Sequence, residues 1–148
     1  MIQSTYGHGT HNDFVLVFDE DNKLTFTADQ IKRICDRKSG IGSDGFIKIV
    51  KKDGAWFMDY SNADGSVAEM CGNGIRCVAK YVHDHGITSN TSLTIETGAG
   101  ILGIDLHLGT DKKVSQVTVD MGVPELEAPQ IPTTLVESGH VIDLDVEF

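Results

Sequence analysis

The sequence predicts an α+β domain in which a curved, mostly antiparallel sheet wraps around a central helix. Two observations carry this reading. Seven short apolar runs, rich in β-branched and aromatic residues, recur along the chain with glycine- and aspartate-containing turns between them. One helical stretch, opening near Gly72-Asn73, is apolar around most of its circumference, as a helix enclosed by other elements must be.

The strand-like runs are Phe14–Phe18, Phe46–Val50, Ala55–Tyr60, Leu93–Thr97, Ile101–Leu108, Val114–Met121 and Val141–Val146. Asp21-Asn22, Asp53-Gly54, Asn62-Ala63-Asp64-Gly65, Gly98-Ala99-Gly100 and Gly109-Thr110-Asp111 break them. A first helix is expected over Ala28–Lys38, capped by Thr27, with Ile31, Ile34 and Cys35 on one face and Gly40 as its stop. The second runs from Gly72-Asn73 through Ile75, Cys77, Val78, Ala79, Tyr81 and Val82 to Gly86. Gly98-Ala99-Gly100-Ile101-Leu102-Gly103 imitates a dinucleotide-binding glycine pattern. The alternation of Ile101–Leu108 continues it as a strand, so it reads as a hairpin turn. Residues 1–122 are expected to form one domain. Residues 123–148 carry Pro124, Pro129 and Pro132 and read as an extension that ends inside a strand-like run, cut rather than concluded.

A formal charge of −10, with no basic stripe, disfavours polyanions and excludes a nucleic-acid surface. No apolar stretch approaches the roughly 18 residues that span a bilayer. Met1–Tyr6 lacks the basic and apolar regions of a signal peptide, so a cytoplasmic location is expected. Cys35, Cys71 and Cys77 are too few, and odd in number, for a disulfide scaffold; each should be a thiol.

The segment Tyr60–Cys77 concentrates the chemistry. It sets Cys71 in a glycine-rich turn that opens the second helix. Unpaired N–H groups and the positive end of the helix dipole there favour a sulfur anion. Gly72 and Gly74 have no Cβ to keep a ligand off the backbone, and the same N–H groups suit a carboxylate. A thiol base beside an anion cradle is what abstraction of a proton α to a carboxylate requires.

Met70-Cys71-Gly72-Asn73-Gly74-Ile75-Arg76-Cys77, preceded by Asn62-Ala63-Asp64-Gly65-Ser66, resembles the signature of the diaminopimelate epimerase family. His8-Gly9-Thr10-His11-Asn12-Asp13-Phe14, Gly40-Ile41-Gly42-Ser43-Asp44-Gly45 and Met121-Gly122-Val123-Pro124 agree in order. The resemblance covers essentially the whole chain. It implies the first of two similar domains, with substrate in the cleft between them and one acid/base cysteine from each. It also implies conversion of LL- to meso-diaminopimelate with no cofactor and no metal. Cys71 then matches the first catalytic cysteine, Asn12 and Asn62 match substrate-contacting asparagines, and Gly72 and Asn73 match the grip on the α-carboxylate. The partner implied, besides the amino-acid substrate, is the C-terminal half. His11 stands where the family more often has glycine, and Gly45 where some members have glutamine.

Other readings stand beside this one. A thiol racemase of the proline or hydroxyproline type would carry His where this chain has Asn73. A non-catalytic amino-acid-binding module would keep the cradle without the chemistry, and a homodimer would pair two copies of Cys71. Cys35 and Cys77 read as core, Cys77 lying about one and two-thirds turns beyond Cys71 and pointing elsewhere. Arg76 reads as a helix residue paired with a nearby carboxylate, or else as a substrate cation site. Asp44, Asp64 and Glu69 read as cleft supports or as turn and cap residues. His8 and His11 are expected in a loop without a third ligand, and His83 and His85 at a solvated helix end; no metal site is expected.

Overall fold

A computed structural model describes residues 2–52 and 54–145. Eight strands share one sheet: β1 Thr5–Gly9, β2 Asn12–Phe18, β3 Gly45–Lys52, β4 Ala55–Asn62, β5 Val67–Ala68, β6 Ser92–Thr97, β7 Gly100–Leu108 and β8 Val114–Val119. Helix α1 spans Ala28–Cys35 and α2 spans Gly72–Asp84. The strand order is β1-β2-β3-β4-β6-β7-β8, with β5 paired to β4. Most pairings are antiparallel. The two parallel ones, β2 with β3 and β4 with β6, are those whose connections carry α1 and α2.

Strands β2 and β3 are buried on both faces, and their side chains alternate between two cores. Phe14, Leu16, Ile47 and Ile49 point to the α2 side, where they meet Ile75, Val78, Ala79 and Val82. Val15, Val17 and Phe46 point to the α1 side and pack on Ile31 and Cys35. Helix α2 touches both β1 and β8, the two ends of the sheet order, so the sheet must curl around it. Lys80 is the exposed residue among Gly72–Asp84. The expected fold class, a curved mostly antiparallel sheet around a central helix, is the one observed.

Particular elements differ from expectation. Helix α1 ends at Cys35, not Lys38, because Asp36 Oδ1 accepts from the N–H groups of Lys38 and Ser39 and from Ser39 Oγ, an Asx turn that competes with further helix. Its start is as expected, with Thr27 and Gln30 capping each other's backbone in a capping box. Strand β1 places His8 in the sheet rather than in a loop. Thr10 and His11 form the two-residue turn from β1 to β2, both at positive φ, 57° and 66°. That is the geometry a tight hairpin demands and the one glycine adopts without strain. Gly98-Ala99 forms the β6–β7 hairpin turn. Val141–Asp145 form no strand, and Val146 lies outside the described residues. An isolated bridge, Glu127 to His140, and a 3-10 turn at Ala128–Gln130 are what that segment holds. No helix among the described residues is long and apolar enough to cross a membrane.

Candidate functional site

Cys71 is the N-cap of α2. Its backbone is extended, at φ −146° and ψ 114°, and its Sγ accepts the N–H of Gly74 at 3.4 Å. A thiol is a weak acceptor, so it holds the helix end less firmly than the oxygens usual there. The first-turn N–H groups of Gly72 and Asn73 have no helical acceptor four residues back. Three contacts fix the approach to this turn. Gly74 packs so closely on Ile47 that a Cβ would lie 2.9 Å from Ile47 Cδ1. A Cβ at Gly9 would lie 2.9 Å from the carbonyl oxygen of Asn73, so the β1–β2 hairpin rests on the start of the helix. The β6–β7 turn abuts Glu69, whose carbonyl accepts from Ala99 N–H at 3.3 Å.

Asn12, the first residue of β2, reaches the sulfur. Cys71 Sγ donates to its Oδ1 at 3.6 Å, and Asn73 Nδ2 donates to the same oxygen at 3.3 Å. Arg76 Nη2 spans Asn73 Oδ1 at 2.5 Å and Thr10 Oγ1 at 2.8 Å. Arg76 is therefore held by an amide and a hydroxyl, which corrects the expectation of a carboxylate partner. A concavity of about 360 Å³ opens beside these groups, lined by Cys71, Gly72, Asn73, Arg76, Val117, Val119 and Met121. Cys71 is half-buried at its wall. Cys71 thus lines an open hollow and is not sealed in hydrocarbon.

The structure brings Cys71, Gly72, Asn73 and Asn12 together. Asn62 stands apart from that contact. It pairs in register with Gly45, accepts from the Tyr60 hydroxyl at 3.1 Å and donates to Ser66 Oγ at 3.0 Å. Among the described residues it makes no hydrogen bond to Cys71, Asn12 or Asn73. Asp64 accepts from Ser66 N–H and Oγ, so it serves its own turn.

Two neighbours, Arg37 and Tyr6, lie outside the motifs and gather around Asp13 and Asp44, which lie within them. Arg37 forks onto both oxygens of Asp13, at 3.0 and 2.8 Å, and onto Asp44 at 2.7 Å; Tyr6 donates its hydroxyl to Asp13. The Arg37 hydrogen bonds hold the Asp13 carboxyl far below the ordinary carboxylate range, against a burial cost. The Asp44 carboxyl is also lowered, chiefly by the hydrogen bond from Asn12. Tyr60 is buried, and its ring fills the space a side chain at Gly45 would need: a Cβ there would lie 2.6 Å from Tyr60 Cε2. Burial raises the Tyr60 hydroxyl first, with the Cys71 and Asp44 charges adding to it. Burial pushes Cys77 up to about 11 and also raises Cys35, whose sulfur accepts from Ser43 Oγ at 3.3 Å.

A family model described as diaminopimelate epimerase matches residues 4–127. The chain belongs to the diaminopimelate epimerase family. Relatives of that name agree. The protein from Leptospira biflexa is 45% identical over 147 residues, covering 99% of this chain and 52% of the relative. That from Agathobacter rectalis is 50% identical over 137 residues, covering 92% and 48%. The chain therefore spans about half the length of the curated relatives it matches. Among solved structures, a probable proline racemase from Agrobacterium radiobacter K84 aligns with a TM-score of 0.66 at 18% identity, covering 86% of this chain and 44% of that one. A hydroxyproline epimerase from Agrobacterium vitis aligns at 0.59 and 16%, covering 80% and 40%. At such identities the likeness is one of fold.

Proposed function

We propose that this chain supplies the first half of the active site of a diaminopimelate epimerase, with Cys71 as one of two acid/base thiols. The observation that carries the reading is the placement of Cys71 Sγ at the N-terminus of α2, on the wall of a hollow and beside first-turn N–H groups. A substrate α-carboxylate seated on Gly72 and Asn73 N–H would have its negative charge met by the helix end, which also stabilises the charge that spreads onto that carboxylate when the α-proton leaves. Cys71 as thiolate takes the α-proton from one face. A second thiol, from the length of the relatives beyond this chain, returns a proton to the other face. In reverse, Cys71 as thiol donates. Neither step requires a redox change or a cofactor. Asn12 and Asn62 contact the substrate in this reading, and residues 123–148 lead away from the domain of residues 1–122 toward the second half.

The test joins this chain to the C-terminal half of the Leptospira biflexa relative and follows α-proton exchange in heavy water. LL- and meso-diaminopimelate should exchange and proline should not. Cys71→Ala should lower exchange about a hundredfold or more. Undiminished exchange in Cys71→Ala would refute the assignment.

A further inference from the structure

The amide of Asn12 has one orientation that its surroundings permit. A carboxylate only accepts hydrogen bonds, so Asp44 Oδ2, 2.9 Å from Asn12 Nδ2, must face the NH2 side. The carbonyl is thereby turned onto Cys71 Sγ and Asn73 Nδ2. Asp44 is itself fixed, by Arg37 Nη2 at 2.7 Å and by the backbone N–H of Asp13 at 3.2 Å. We infer that Asp44 is a positioning residue: by orienting Asn12 it presents to Cys71 Sγ an oxygen that accepts from S–H and repels S⁻. The inference rests on the reading of Cys71 as an acid/base thiol.

Other groups act on the same sulfur. From α2, the Gly74 N–H favours the anion, Arg76 is bound to Asn73, and Cys77 lies further along the helix. Tyr60, on β4, belongs to the core against which Cys71 packs. Asp13 and Arg37 sit behind Asp44. Of these contacts, the Asn12 amide is the one that can be reversed without moving the backbone, since a flip would place NH2 on the sulfur. The Asp44 carboxyl, lowered by its Asn12 bond, stays ionised through the neutral range and keeps the amide from flipping. The consequence is a sulfur met by an acceptor on one side and by the helix end on the other, the helix end being left to face the anion once substrate displaces the Asn12 contact.

Site-resolved alkylation of the full chain with iodoacetamide, read by peptide mass spectrometry near pH 7 and near pH 10, tests this. The quantity is the ratio of the Cys71 rates at the two pH values. Asp44→Asn should raise the ratio about three- to tenfold, the effect of exchanging one hydrogen-bond acceptor for a donor. Asn12→Leu, which removes the oxygen, should raise it comparably. Asp44→Asn added to Asn12→Leu should then do nothing more. An equal rise in both backgrounds would mean that Asp44 acts by its charge alone, and the inference would be wrong. Should Asp44→Asn fail to fold, as judged by circular dichroism, Asn12→Leu still decides, and an unchanged ratio overturns the inference. A Cys71 that resists alkylation at both pH values in the unaltered chain sinks the acid/base reading itself.

Discussion

Cys71 and Cys77 lie six residues apart on one helix and are both half-buried against the same core, but their sulfurs meet different surroundings. Cys71 ends the helix, faces a hollow, and is touched by Asn12 and the Gly74 N–H. Cys77 packs against the core, and burial is the main cause that raises its thiol to about 11. The residue type is constant, so the difference isolates position. A terminus offers unpaired N–H groups and an approach for ligand, whereas a mid-helix site offers hydrocarbon. The same contrast separates the start of α2 from its middle in packing. Its middle is sealed by Ile75, Val78, Ala79 and Val82, and its start is held by a few close contacts to glycines.

The strongest way to break the contrast is to loosen the middle of the helix. Ile75 is fully buried between the two cysteines, and Ile75→Ala should cost about 2–5 kcal/mol in urea unfolding. Cys77 should then alkylate more readily as the core opens. A cost below about 1 kcal/mol would mean α2 is not the centre of the core. A narrower change acts near Cys71 only. Gly45→Ala puts a Cβ against Tyr60 Cε2 and 3.0 Å from the Ser61 carbonyl oxygen, and should cost about 1–3 kcal/mol by thermal unfolding. Cys71 reactivity should change with it and Cys77 reactivity should not.

Acid should weaken the Cys71 end. Asp13 and Asp44 both have carboxyls lowered in the folded chain, so their contribution is complete above roughly pH 4, the ordinary carboxylate value, and is lost as pH falls through the depressed folded values. Urea midpoints should drop on acidification below about pH 4. Asp13→Asn should flatten that dependence, and an unaltered slope would remove the network from the account. The smallest effect belongs to the hairpin that rests on the helix start. His11→Gly relieves a positive φ but adds unfolded-state freedom, for a net gain of about 0–1 kcal/mol, measurable as a small rise in melting temperature. A clear loss would show that His11 makes contacts beyond its stacking on His8.

Much of this was legible in the chain. The start of α2, the turn carrying Cys71, six of the seven strand-like runs and the Gly98-Ala99 hairpin could be read because each rests on local rules of periodicity, caps and turn residues. Strand β1 could not, since Thr5–Gly9 contains two glycines and a histidine and owes its form to pairing with β2. Val141–Asp145 has strand-like composition, but its pairing goes no further than the isolated Glu127–His140 bridge and the Val141 N–H bond to Leu126, which shows the same dependence in reverse. In the site, Cys71, Asn12, Gly72 and Asn73 converge as their motifs suggested. Arg37, Asp13 and Asp44 meet across separations of 24 and 31 residues for Asp13 with its two partners, and no short pattern announces such a contact.

Relative thiol reactivity is the most direct measurement of the central claim, that position at the helix terminus makes Cys71 a chemical group. Cys71 should react with iodoacetamide at neutral pH at least about tenfold faster than Cys77 in the folded chain. Equal rates, or a faster Cys77, would contradict it.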